Sequence, residues 1–405
     1  MNRSIIYKTS SFPSFSETFV VNSIVAALDK GYHVTIVTDE KKDLKASSQP
    51  EVIKEYGLLD KVRTYREPAM KDGRRYKALS ILLNPFYAFY FLKYCLAERS
   101  YSLSYLFRLK FYKAIRKAHV YHVHFAYNAA DVLPLKRIGF IKARIILTFH
   151  GFDAHYLIDR PTKGVTITSI NRYVDNITVN STYLKELLDS KGIDKKLIQV
   201  VPIGVDTTYF RRSSNSESKL SSSLKLITVG RLIPLKGQHL GLEVVKSLLD
   251  RGIDVHYTVI GSGKNIERLK KSSSDLALGS RVHFLEDRTQ LEIREQLKQS
   301  DIFLMTSVSD KDGRREAFGV VSLEAQAMGL PVIGFSSGGI PETLEDGKTG
   351  IIVPEGDTNA MAEAVESLIS NPERYSEMSK AARQLVCEKF ESSITAASYL
   401  KLYEN

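Results

Sequence analysis

Residues 225–260 read KLITVGRLIPLKGQHLGLEVVKSLLDRGIDVHYTVI, and their pattern sets the fold class. Two β-branched runs, 225–229 and 255–260, flank a segment of helical length and period, 237–251. Parallel neighbours in a sheet need a crossover of that kind, so the stretch predicts a strand–helix–strand unit. The alternation continues downstream, with strands expected at 282–285, 302–306, 331–334 and 350–353, then a helix over 359–370 and a helical tract from Pro372. Upstream, 4–8, 32–38, 120–125, 144–149, 176–179 and 198–203 read as strands, and 16–30 as the first helix. A serine-rich stretch, 211–223 (RRSSNSESKLSSS), separates the two series and reads as a linker. The expectation is α/β: two doubly wound, Rossmann-like parallel sheets facing across a cleft, with ligands at the carboxyl ends of the strands. The domains are drawn at 1–207 and 208–388, with a final helix, 389–405, returning to the first.

At 405 residues, with 43% hydrophobic and 25% charged side chains, the composition is that of globular domains and excludes disordered and fibrous classes. Cys95 and Cys387 are too few and too far apart for a disulfide framework or a zinc cluster. A reduced, cytoplasmic setting is expected, since the N-terminus carries no charged segment followed by an apolar one. The longest apolar stretch, 78–92, is broken by Asn84-Pro85 and closed by Lys93, short of the ~20 residues of a spanning helix. The net charge of +11 is unevenly placed: residues 1–210 carry 32 basic and 19 acidic side chains, and 61–150 alone carry 18 and 4. Such asymmetry points the first domain towards an anionic partner.

Two constellations carry chemistry. Gly230 ends a strand and is followed by Arg231, then by Lys236-Gly237 where a helix begins. Two cations and a helix N-terminus at one corner make an anion site fit for a diphosphate. Glu316 and Glu324 stand eight apart around Ala317-Phe318-Gly319-Val320, with a helix expected from about Gly319 to Met328. Glu324 falls in an apolar helical segment, where a carboxylate needs a buried partner or a ligand hydroxyl.

The tract 316–353, EAFGVVSLEAQAMGLPVIGFSSGGIPETLEDGKTGIIV, together with Gly230-Arg231 and Lys236-Gly237, resembles the retaining GT-B glycosyltransferases of family 4. The segments 177–210, Thr148-Phe149-His150-Gly151 and Gly261-Ser262-Gly263 agree, so the resemblance covers nearly the whole chain. Phe12-Pro13, the 16–19 stretch SETF, His122-Val123-His124-Phe125 and Asp312-Gly313 are similar to the subgroup that builds bacterial exopolysaccharides of the colanic acid and amylovoran type. The resemblance implies that Arg231 and Lys236 hold the donor diphosphate, with Gly230 at the turn and the Phe318-Gly319-Val320 backbone near the sugar and distal phosphate. Glu316 would contact hydroxyls of the transferred sugar, and Glu324 those of the ribose. His150 would reach from the first domain to the donor sugar, as a catalytic residue with Glu316. The base would lie near Gly261, Gly263, Asp287 and Arg288. One departure is the first loop, residues 10–16 (SSFPSFS), which lacks the glycines of many relatives.

Other motifs are weaker. Asp310-Lys311-Asp312 spells the D-x-D of metal-dependent transferases of another fold, but GT-B sites use cations and a helix terminus in its place. No metal site and no cofactor are therefore expected. His122 and His124 share a strand face without a third ligand nearby. Gly261-Ser262-Gly263 lacks the further glycine of a dinucleotide fingerprint, and no G-x-x-x-x-G-K-S/T occurs.

Residues 76–117 interleave twelve aromatics with Lys93, Arg99, Arg108, Lys110, Lys113, Arg116 and Lys117. On helices this predicts an apolar aromatic face with a basic rim, suited to an anionic membrane surface or a lipid-borne acceptor. Arg108, Lys110, Lys113 and Lys117 are the expected contacts. The alternative is that the aromatics fill the core and the cations are merely solvated. RNA-binding signatures are absent, and no nucleic acid partner is expected.

The resulting expectation is a retaining glycosyltransferase, peripheral on the inner face of the cell membrane. It would move a sugar from a UDP-sugar or GDP-sugar to a polyprenyl-diphosphate-linked glycan in surface polysaccharide biosynthesis. A non-catalytic scaffold of a polysaccharide assembly complex and a nucleotide-sugar epimerase of the same fold are the alternatives. The first would show no donor binding.

Overall fold

The computed structural model describes residues 3–15, 17–69, 73–159, 165–212 and 220–404, the side chains of 156–159 excepted. Residues 213–219 of the expected linker and Ser16 of the first loop lie outside them. The chain divides into two compact units: Met1–Val179, Lys185–Val201 and Ala396–Asn405 in the first, Asn180–Leu184 and Pro202–Thr395 in the second.

The first unit is built on a seven-stranded parallel sheet. Its strands are β1 (Ser4–Phe12), β2 (His33–Lys41), β3 (Val62–Thr64), β4 (Val120–His124), β5 (Arg144–Thr148), β6 (Asn176–Val179) and β7 (Ile198–Val200), in the order β3-β2-β1-β4-β5-β6-β7. β1 runs four residues beyond its expected end, because Ser11 and Phe12 still pair with Glu40 and Lys41 of β2. The three-residue edge strand β3 had no periodic signal to announce it. Helix Thr18–Asp29 buries Val20, Val21, Ile24 and Ala27 on one stripe against Ile5, Tyr7 and Ile36. Tyr399, Leu402 and Tyr403 of the last helix, Ser392–Glu404, enter the same core, and the Tyr403 hydroxyl lies 3.0 Å from that of Tyr7 and 2.7 Å from His122 Nδ1.

The second unit holds β8 (Leu224–Val229), β9 (Val255–Ile260), β10 (Val282–Leu285), β11 (Ile302–Met305), β12 (Val332–Phe335) and β13 (Gly350–Val353), all parallel, in the order β10-β9-β8-β11-β12-β13. Strands covered on both faces need continuous apolar runs, as β11 (IFLM) and β12 (VIGF) show, every residue buried. Helix Gln238–Asp250 buries Leu242, Val245 and Leu248 at helical spacing against this sheet. The strand order reverses direction at β8, which has β9 on one side and β11 on the other. Loops leaving neighbouring strands at such a switch point diverge and open a crevice at the carboxyl edge.

Candidate active site

The loops after β8 and β11 meet at this switch point in the second unit. After β8, the chain turns at Gly230, presents an exposed Arg231, makes one turn of 3-10 helix (Pro234–Lys236) and enters helix Gln238–Asp250. After β11, it passes Thr306 and Ser307, loops out, and returns through Glu316 to helix Val320–Ala327, whose N-cap is Gly319. The Lys236 ammonium is ion-paired with Glu316 Oε2, and the Ser307 hydroxyl donates to the same oxygen at 3.2 Å. Burial pushes the Glu316 carboxyl upward, but Lys236, Ser307 and the nearby charge of Arg231 outweigh it and hold the group below its usual range. The Thr306 hydroxyl donates to Lys236 O at 2.9 Å, and buried Gln238 donates to Arg231 O at 2.9 Å, so the cationic loop is fixed from both sides.

Backbone packing sets this arrangement. The loop after β9 lies directly on the loop after β8, with Leu232 N donating to Ser262 O at 2.8 Å. Gly261 takes φ +143°, and a β-carbon there would fall 2.0 Å from Gly230 O. After β12, Gly338 takes φ +58° with the carbonyl of Glu316 where its β-carbon would stand, and Gly339 N donates to that carbonyl at 2.8 Å. Only glycine permits both approaches.

Glu324, on helix Val320–Ala327, is partly buried, and its carboxyl is pushed up to about 7 by burial, against a hydrogen bond from Gln290. Among the expected base contacts, Asp287 has φ +41° and accepts from the Ser262 hydroxyl at 2.6 Å, tying the loops after β9 and β10. Arg288, just before the N-cap Thr289, lies 3.7 Å from Glu292 in the first turn of helix Gln290–Lys298. Phe318 and Gly319 are buried, and half-buried Val320 opens the helix. Thus Gly230, Arg231, Lys236, Glu316, Phe318, Gly319, Val320, Gly261, Gly263, Asp287 and Arg288 all belong to loops or helix starts at one edge of one sheet, and Glu324 lies within the helix that Val320 opens. Asp310 is occupied otherwise: it accepts from Asp312 N and Arg314 N and pairs with the Arg314 guanidinium at 2.6 Å.

His150 follows β5 in the first unit. Its Nε2 lies 3.1 Å from His124 Nδ1, and its ring stacks 4.4 Å from Phe19. Among the described residues its Nδ1 has no hydrogen-bond partner, nor has Nε2 of His124. Burial drives the pKa values of both rings down, that of His124 to about 3, so the pair is neutral and shares one proton along the hydrogen bond. Asp153 anchors the corner, accepting from Ala126 N and His150 N at 2.9 Å each, with burial lifting its carboxyl to about 6. His122 uses both nitrogens, on Tyr403 and Thr148 at 2.7 Å.

Sequence reading missed Ser307, Gln238, Gln290 and Asp153. Only Asp153 had a signal, a carboxylate three residues after His150 at a strand-to-helix turn. The expected basic rim needs a correction. Lys110, Lys113 and Lys117 are exposed, the Lys113 ammonium lying 5.0 Å above the Phe86 ring. Arg108 is not part of any rim: it pairs with Asp131 at 3.0 Å, donates to Ala130 O and lies over Tyr65 and Tyr105. Asp131 in turn lies 3.1 Å from fully buried Lys8, which also pairs with Asp39 at 2.6 Å, so two carboxylates neutralise the buried ammonium and Arg108 shares one of them.

Two parallel, helix-flanked sheets of seven and six strands are the architecture of the GT-B glycosyltransferases, and the second carries a cation–carboxylate pair at its switch point. Family models for Glycosyltransferase Family 4 and for Glycosyl transferases group 1 match residues 16–209 and 210–385, and the chain belongs to this glycosyltransferase family. It is 30% identical over 365 residues to a colanic acid biosynthesis glycosyltransferase of Salmonella typhimurium, covering 87% of each chain. It is 28% identical over 410 residues to the amylovoran biosynthesis glycosyltransferase of Erwinia amylovora, covering 99% of each. Anabaena HepE, solved with UDP and glucose, superposes with a TM-score of 0.75 over the whole of both chains at 15% identity, a likeness of fold.

Proposed function

We propose that this glycosyltransferase retains anomeric configuration and transfers a sugar from UDP-sugar or GDP-sugar to a polyprenyl-diphosphate-linked glycan, at the inner face of the membrane, in exopolysaccharide biosynthesis. The observation that carries the reading is the Lys236–Glu316 pair beside Arg231 and the N-terminus of helix Val320–Ala327. Positive charge and open backbone N–H groups gather where a diphosphate leaving group develops charge. The relatives named for colanic acid and amylovoran biosynthesis support the pathway class. A GDP-mannose-dependent mannosyltransferase of Mycolicibacterium smegmatis, 29% identical over 255 residues, and the UDP complex of HepE support a nucleotide-sugar donor.

In this reading Lys236 turns from Glu316 to the diphosphate when donor binds. The freed Glu316 carboxylate then accepts hydrogen bonds from sugar hydroxyls, which carboxylates receive two at a time. Arg231 forms the second arm on the phosphates, and Glu324 accepts from the ribose. The buried, unpaired Nδ1 of His150 is the substrate contact assigned to the first unit. With no carboxylate nucleophile assigned, attack occurs on the face the leaving group departs, and the departing phosphate takes the acceptor proton.

Purified protein supplied with UDP-, GDP-, ADP- and dTDP-sugars and a membrane extract should release nucleotide from one donor class. NMR of the product should show the donor's anomeric configuration kept. An inverted product removes the retaining mechanism, and no turnover or hydrolysis with any donor removes the enzymatic reading.

A further inference from the structure

Helix Pro85–Glu98 is apolar nearly all round, PFYAFYFLKYCLAE, yet it buries only Tyr87, Tyr94 and Cys95. A helix of that composition belongs in a core or against lipid. Its opposite side presents Phe89, Leu92 and Leu96, at i, i+3 and i+7, all exposed. Helix Arg74–Leu82 repeats the arrangement: Ala78 and Ile81 face inward, while Tyr76, Leu79 and the C-cap Leu83 face out, again at i, i+3 and i+7. Seven of the eleven exposed large hydrophobic residues among those described fall between residues 76 and 101. Leu83 and Leu96 are 85% and 73% exposed, too far out to be rim residues of a core. Concentrated apolar exposure of this kind marks an interaction surface.

The charge around it selects the partner. Residues 74–117 contain ten Lys and Arg and a single acid, Glu98, which is paired with Arg137 at 2.9 Å. Arg75, Lys77, Lys93 and Arg99 are exposed on the same two helices as the apolar residues. Geometry limits the depth. Helix Pro85–Glu98 has 14 residues, about 21 Å of rise, against ~30 Å of hydrocarbon, and it meets helix Arg74–Leu82 at a bend of 105°. No single helix among the described residues is long and apolar enough to cross a membrane.

We propose that the outward faces of helices Arg74–Leu82 and Pro85–Glu98 form a docking surface that inserts its leucines and aromatics into the interface of an anionic phospholipid bilayer, with Arg75, Lys77, Lys93 and Arg99 on the headgroups. It rests on the proposed function only for its purpose, bringing the first unit to a lipid-borne acceptor. It replaces the four cations singled out in the sequence by a different set on different helices. The apolar residues supply insertion and the cations supply selection for negative charge.

The chain contains no tryptophan, so Leu92→Trp gives a single reporter at the centre of the face. Vesicles of phosphatidylglycerol and phosphatidylcholine in equal parts should shift its emission to the blue, and brominated acyl chains should quench it. Phosphatidylcholine alone should do little. The combined variant Leu83→Gln, Leu92→Gln and Leu96→Gln should lower partitioning to anionic vesicles by roughly tenfold or more. Arg75→Glu with Lys77→Glu should lower it by roughly fivefold per position, and added salt should mimic that change. Nucleotide release measured without lipid should be the same in the parent and the glutamine variant, which separates docking from catalysis. Emission unchanged by anionic vesicles overturns the proposal. So does a blue shift without lipid that accompanies a doubled mass in solution, which would give the face to a second copy of the chain.

Discussion

Replacing Lys236 by Met removes the ammonium but keeps most of its stem, and it separates two roles of one pair. Glu316 would remain with 13% of its side chain exposed and without its first partner, leaving Ser307 and the more distant Arg231. Removing one member of a buried pair costs about 3–5 kcal/mol, and the residual exposure of both side chains brings this to about 1–3. For a unit of ~200 residues that lowers the thermal midpoint by about 2–4 °C per kcal/mol. The sign with pH follows from the carboxyl. In the parent, the depressed pKa of Glu316 contributes stability above its unfolded value, lost as pH falls through the folded one. In the variant, burial dominates and raises that pKa, so the deficit is largest at about pH 8 and shrinks towards about pH 5. Turnover should fall about 10²–10³-fold, the cost of one preorganised donor to developing charge. The double variant Lys236→Met, Glu316→Gln should recover the midpoint without the rate. Nucleotide release and thermal melts at both pH values check all three. A double variant with restored turnover, or a single variant within tenfold of the parent, refutes the assignment of Lys236 to the leaving group.

The remaining expectations are narrower. With its carboxyl near 7, Glu324 gains acceptor strength as pH rises from about 6 to 8, so nucleoside diphosphate affinity should rise more steeply in the parent than in Glu324→Gln; parallel calorimetric profiles would remove the ribose contact. Asp153→Ala strands the N–H groups of Ala126 and His150 at about 1–3 kcal/mol each, so the melting point and turnover should fall together, while Asp153→Asn keeps part of both. Gly261→Ala drives a β-carbon onto Gly230 O and should weaken nucleotide binding at least roughly tenfold by displacing the Arg231 loop; calorimetry with unchanged affinity would show that this loop does not meet the nucleotide.

The alternation of β-branched runs with helical segments was enough to specify two parallel sheets, because period and turn chemistry are local properties of the chain. The loop residues at the second sheet's edge were legible too: Gly230, Arg231 and Lys236 follow one strand, and Glu316 and Glu324 bracket a helix start. What spacing along the chain does not encode is which of them touch. Lys236 and Glu316 are 80 positions apart and pair because β8 and β11 are neighbours across the point where strand order reverses. Ser307 and Gln290 entered that site the same way, and Asp153 the His150 corner of the first unit, as ordinary polar residues given a task by tertiary position. The basic aromatic stretch shows the limit most plainly. Composition alone marked residues 76–117 as a surface with apolar and cationic character, but two helices that are apolar on both sides carry no periodic signal for which side is buried. Packing against the first unit took Tyr87, Tyr94 and Tyr105 inward, and drew Arg108 to Asp131, the carboxylate that it shares with fully buried Lys8. Leu83, Leu92 and Leu96 were left facing out, and only the folded arrangement distinguishes them from the leucines of the core.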